Sequence, residues 1–216
     1  MLRPLLFAAA SAVILAACAS APETPATDSA AAAATATKSS FERALETVDQ
    51  MGAAGETQIA ISRLMQLVGE TNLTDAEQAK ALLLLGDYSL LPDGYNAEGG
   101  LGYYRELIAS FPGSASAAEA KTKIPPAEEK VAAYLTTLAS VDSTRTEEFS
   151  ALFNLGRHQE AIDLMVANDL MPDNDVLLAM YQIGYLCEDS NLTGRAYDVT
   201  QSDGTVASVR FCDFGK

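Results

Sequence analysis

From Phe41 to Glu188 the apolar residues recur at helical spacing. Phe41, Ala44, Leu45 and Val48 form one stripe, and Ile59, Ile61, Leu64, Leu67 and Val68 form another, with polar residues between them. The pattern predicts about nine helices, over 41–51, 55–70, 75–91, 96–111, 115–124, 127–140, 145–155, 158–169 and 174–188. Capping boxes mark three starts, Thr74-x-x-Glu77, Ser116-x-x-Glu119 and Thr144-x-x-Glu147, in which hydroxyl and carboxylate satisfy the free amide groups of the first turn. Pro92-Asp93-Gly94, Pro112-Gly113, Pro125-Pro126 and Pro172-Asp173 read as breaks. Short connections make antiparallel helical hairpins the economical arrangement.

Beyond Asp189 the period changes to two. Tyr197 and Val199 alternate with polar neighbours, as do Ala207, Val209 and Phe211, with Ser202-Asp203-Gly204 between them. A two-residue Asp-Gly loop would pair Asp198 with Val209 and mix polar with apolar on one face. A three-residue loop with Gly204 left-handed pairs Val199 with Ala207 and Tyr197 with Val209, giving one apolar face. Since an isolated hairpin is marginal, this one must dock on the last helices. The expected fold class is mainly α, with helical hairpins and a small C-terminal β-hairpin.

The first forty residues have another character. Met1 to Ser20 reads MLRPLLFAAASAVILAACAS, with Arg3 ahead of an apolar run from Leu5 to Ala17. That run is shorter than the roughly 20 residues a bilayer span requires, so it reads as the apolar region of a signal peptide. Its exit, Leu15-Ala16-Ala17-Cys18, resembles the bacterial lipobox. The resemblance implies lipid attachment to the Cys18 sulfur, cleavage before Cys18, and acylation of the new amine. Cleavage after Ala19-Ser20-Ala21 is the alternative, with Pro22 badly placed for it. Ala19, rather than Asp, after the cysteine implies the outer membrane, facing the periplasm. Residues 19–40 are Ala, Thr, Ser and Pro with few charges, a tether whose flexible reach is about 25–30 Å. The expected organisation is thus signal peptide 1–17, lipidated Cys18 and tether 18–40, helical domain 41–189, and hairpin 190–216.

The chain has 216 residues, with 29 acidic against 14 basic and a net charge of −15. Glu23, Asp28, Arg3 and Lys38, two of each sign, lie in the first forty residues, so the body carries the whole imbalance. Such acidity argues against nucleic acid, whose affinity comes largely from lysine and arginine. It also repels anionic headgroups, so the expected membrane association is through lipid and not through charge.

Two segments resemble tetratricopeptide (TPR) units, helix pairs of about 34 residues. In the first, Ala79–Gly113, Leu85-Gly86 stands where the first helix carries Leu-Gly. Gly100 takes the small position of the second helix, Tyr104 the aromatic position and Pro112 the closing proline. Its tail, YRELIASFPGSASAAEA, is similar to repeats of periplasmic TPR lipoproteins, the component of the β-barrel assembly machine among them. In the second, about Thr144 to Asp173, LGRHQEAIDLM sets Gly156 at the turn, His158 in the aromatic slot and Ala161 at the small position, with Pro172 closing. The first unit is about two residues long between its helices, and the second lacks Leu-Gly. A generic helical bundle is the alternative.

Cys187 and Cys212 lie near either end of the C-terminal element, and in an oxidising periplasm this spacing suggests a disulfide pinning the hairpin to the final helix, free buried thiols being the alternative. Closing a loop of this length stabilises by about 3.5 kcal/mol on the chain-entropy model. No metal or cofactor is expected, because His158 is the only histidine and Gly99-Gly100-x-Gly102 lacks the strand and lysine of a phosphate loop. The functional expectation is a non-catalytic, membrane-anchored module that binds a protein partner in the periplasm for envelope assembly or maintenance, with contacts around Tyr95, Tyr103, Arg105 and His158. The alternatives are a glycan-binding accessory factor or enzyme of envelope-polymer metabolism, for which Glu147, Glu148 and Glu160 could be invoked, and a structural lipoprotein without a specific ligand.

Overall fold

The computed structural model describes residues 38–189 and 191–212. The expected signal peptide, the expected lipidation site Cys18 and the expected tether as far as residue 37 lie outside them. Among the described residues there are eight helices: α1 (Ser40–Ala53), α2 (Thr57–Val68), α3 (Asp75–Ser89), α4 (Ala97–Ser110), α5 (Ala115–Ala139), α6 (Arg145–Leu155), α7 (His158–Ala167) and α8 (Asn174–Gln182). Three short strands follow, β1 (Leu186–Cys187), β2 (Tyr197–Thr200) and β3 (Val206–Phe211). Each helix from α1 to α6 packs on the next, α3 also meets α5 and α4 meets α6, while α8 packs on the strands and on α2. The protein is mainly α with a small β element, as expected.

Local chemistry sets most helix starts. The Thr74–Glu77 and Thr144–Glu147 capping boxes form, and Ser39–Glu42 makes a third at the start of α1. The expected box at Ser116 does not form. Ser114 caps α5 instead, its hydroxyl accepting from the Ala117 amide at 3.0 Å, so Ser116 lies already inside the first turn.

The largest departure is α5, which runs unbroken through Pro125 and Pro126, so two expected helices become one. Interior proline forfeits a backbone hydrogen bond and costs about 3 kcal/mol or more. Tertiary contacts on both sides hold the helix through it. Lys123 Nζ donates to both oxygens of Asp87 at 2.7 Å, and Lys130 Nζ donates to the Leu90 carbonyl at 2.6 Å. Ala117, Ala120, Ala127 and Val131 are buried along one face, while both prolines are exposed.

The last helix also ends earlier than 188. Gly184, at φ +87°, stops α8 in a left-handed turn: its amide donates to the Tyr181 carbonyl at 3.1 Å and that of Tyr185 to the Met180 carbonyl at 2.8 Å. This Schellman arrangement satisfies two carbonyls left free at the helix end. The chain then extends, and Leu186–Cys187 joins the hairpin as a third strand in the order β1-β3-β2, all antiparallel. The hairpin register is the expected one, Tyr197 opposite Val209 and Val199 opposite Ala207, with Gly204 left-handed in the loop. Its apolar face, Tyr197, Val199, Ala207 and Val209, joins Leu177, Met180 and Phe153 in one buried cluster. The Cys187–Cys212 disulfide closes the outer edge, with Cα atoms 5.1 Å apart.

Candidate functional site

Helices α2 and α8 are distant in sequence yet meet in space. Between them lie two adjoining depressions, of about 240 and 310 Å³, which share Gln58 and Gln182 as a common wall. The first is lined by Thr57 and Gln58 of α2, by Asp93 and Tyr95 of the α3–α4 loop, and by Asp175, Leu178 and Ala179 of α8. The second is lined by Ile61, Ser62 and Met65 of α2, with Asn96, His158 and Ile183. Together they form a groove with an acidic end and an end without carboxylates, where Ile61, Met65 and Ile183 supply apolar wall among polar side chains.

The loop at its base is held carbonyl by carbonyl. Gln58, only 6% exposed, donates through Nε2 to the Asp93 and Gly94 carbonyls at 2.7 and 2.9 Å. Thr57 Oγ1 donates to Asp93 Oδ2 at 2.5 Å. His158 Nε2 lies 2.7 Å from the Tyr95 carbonyl, which can only accept, so the ring carries its proton there. Tyr95 itself sits at φ +45°, in the left-handed region that costs a non-glycine residue about 1–2 kcal/mol. Such a conformation persists only where its surroundings over-determine it, as these three side chains do. The Tyr95 ring completes the arrangement, packing edge-on against Phe153 with centroids 4.9 Å apart, while Phe153 also stacks on Phe149 and lies 4.8 Å from the His158 ring.

The electrostatics follow from this packing. Burial pushes the Tyr95 phenol up to about 12, assisted by the negative charges of Asp173, Asp175 and Asp93. Burial lowers the His158 imidazole below its ordinary value, partly opposed by the bond to Tyr95.

Comparison with known proteins adds nothing to this geometry. No family model, curated protein or solved structure matches the chain.

The four residues expected at a partner surface divide into two pairs. Tyr95 and His158, 63 positions apart, are brought together at the base of the groove. Tyr103 instead packs half-buried against the α1–α3 and α3–α5 clusters, and Arg105 is exposed and pairs with Glu128 of α5 at 2.8 Å. Neither lines the groove. Arg157, which no motif singled out, bonds Glu98 through two nitrogens at 3.1 and 2.7 Å and so ties α7 to the start of α4. Two of the three carboxylates invoked for glycan chemistry, Glu147 and Glu148, are occupied otherwise. Glu147 is held below the usual carboxylate range by hydrogen bonds from the Thr144 backbone and hydroxyl, and Glu148 pairs with Arg145 at 2.5 Å. Among the described residues no three His, Cys, Asp or Glu side chains converge to hold a metal ion, and no helix is long and apolar enough to cross a membrane.

Sequence reasoning missed Gln58, Asp93, Asp175 and Gln182. One signal was available. Gln58 lies three positions before Ile61 on an otherwise apolar stripe, and a polar residue there must find partners inside.

Proposed function

We propose that this protein is a lipid-anchored, non-catalytic interaction module of the periplasmic face of the outer membrane, whose α2–α8 groove receives an extended segment of a protein partner. The groove carries the reading: it is concave, combines acceptors with apolar wall, and rests on a strained loop held by three separate side chains. Pre-organisation of this kind reduces the ordering cost of binding. The pairs α3/α4 and α6/α7 supply the TPR-like element, with Gly100 and Ala161 buried where their helices approach. His158, with Nε2 spent on a backbone carbonyl, serves the scaffold and not a reaction.

A photo-reactive amino acid at Met65, 53% exposed on the groove, tests the reading in intact envelopes, with Val141, 98% exposed and outside the groove, as the reference position. A discrete cross-linked protein from position 65 alone is expected. Equal capture from both positions, or none from either, would refute it. For the anchor, Cys18→Ser should abolish palmitate labelling and release the chain from the membrane fraction.

A further inference from the structure

The acidic end of the groove contains unspent hydrogen-bonding capacity. Tyr95 is 9% exposed, yet its hydroxyl has no partner among the described residues and remains reachable from the depression it lines. Gln58 spends Nε2 on the loop, which leaves its amide oxygen without a partner among the described residues, at the wall between the two depressions. Asp93 uses one carboxylate oxygen on Thr57, and Asp175 makes no ion pair or hydrogen bond among the described residues. The site therefore presents acceptors and negative charge, with no cation among the described residues that line it. Leu178, Ala179 and the Tyr95 ring supply apolar wall behind these acceptors.

We propose that the Tyr95 depression seats the basic side chain of an extended polypeptide, an arginine or lysine, whose apolar neighbour lies against Ile61, Met65 and Ile183. This deepens the reading of the groove as a polypeptide site and rests on it. A basic side chain matches the lining twice: its methylene stem packs on apolar wall while its head offers only donors, three from an ammonium or five from a guanidinium. Two carboxylates without a third ligand suit an organic cation better than a metal ion. The occupant is a separate chain. Residues 19–37 contain no lysine or arginine, so that segment cannot fill the site from within, and a second copy carrying the same −15 would be repelled. A Lys216→Gln chain that binds the peptides no more tightly than the wild type excludes the one basic residue beyond Cys212. The same excess charge draws a basic segment toward the groove.

The test uses the full lipidated chain in detergent and labelled nonapeptides in a Gly/Ser background, each carrying Arg-x-Leu, Lys-x-Leu, citrulline-x-Leu or Glu-x-Leu at its centre, with binding read by fluorescence anisotropy. The Arg and Lys peptides should bind at least tenfold more tightly than the citrulline peptide, which keeps the shape and loses the charge. Asp175→Asn and Tyr95→Phe should each weaken them at least threefold, with urea midpoints confirming that the variants fold. Replacing leucine by serine in the peptide should weaken binding in the wild type and less in Met65→Ser. If all four peptides bind alike, the basic-side-chain assignment fails while the polypeptide groove stands. If none binds, and position 65 captures no protein, both fail. Argininamide alone binding as tightly as the Arg peptide would overturn the polypeptide in favour of a small cationic ligand.

Discussion

Replacing Gln58 by leucine leaves an apolar side chain one atom shorter and removes the two hydrogen bonds that Gln58 makes to the α3–α4 loop. The Gly94 carbonyl is buried and would be left without a partner, a loss of about 1–3 kcal/mol. The Asp93 carbonyl is only part-buried, so water can replace the lost donor and the cost there is about 1 kcal/mol. The sum, about 2–4 kcal/mol, should lower the urea midpoint by about 1–2 M for a slope near 2 kcal/mol per molar. Equilibrium unfolding followed by circular dichroism measures it. Gln58 and His158 act on adjacent residues of one strained segment, so the two effects must couple. Once Gln58→Leu has released the loop, His158→Phe should cost less than it does alone, with a coupling above about 0.5 kcal/mol. A single-variant cost below about 0.5 kcal/mol, or strict additivity in the double variant, would refute the account of Tyr95 as held jointly from α2 and α7.

Two glycines of α4 should respond with opposite signs. A Cβ at Gly100 would lie 2.8 Å from Leu90 Cγ and 3.1 Å from the Gly86 carbonyl, so Gly100→Ala should destabilise by about 1–2 kcal/mol. Gly102 has open space around it, and Gly102→Ala should stabilise by about 0.5–1 kcal/mol through helix propensity; thermal unfolding of both variants decides. Reducing the Cys187–Cys212 bond, or replacing both cysteines by serine, should cost about 3.5 kcal/mol and speed amide exchange first in β1 and β3. His158 is held neutral by burial, so as pH falls below 6.5 the unfolded chain takes up a proton that the folded chain resists. Stability should drop through that window down to the lowered folded pKa, by up to about 1.4 kcal/mol per pH unit, and His158→Gln should flatten this part of the profile.

What the sequence disclosed was whatever local chemistry decides. The Thr74 and Thr144 boxes need only four residues each, and the hairpin register follows from keeping Tyr197, Val199, Ala207 and Val209 on one face. The Cys187–Cys212 pairing follows from two cysteines flanking that hairpin. Pro125-Pro126 misled because the lysines that carry α5 through it act on Asp87 and Leu90, residues no local pattern connects to them. The early end of α8 was legible in Gly184, which the apolar period obscured by continuing to Cys187. Of the site, Tyr95 and His158 were visible as aromatics beside turns, but the turn 92–94 read only as a break. Its carbonyls matter because Gln58, some 35 residues earlier in the chain, reaches them.

The meeting of α2 with α8 also sets when the groove can exist. Its walls are separated by about 120 residues, whereas most of the helical stack is built from neighbours in sequence. A chain emerging N-terminus first can stack α1 to α7 as it appears, by contacts that form early because they are local. It acquires a second wall only when Gln182 arrives. The groove is thus a mark of completion: a stalled or clipped chain that ends before α8 has only one of its two walls.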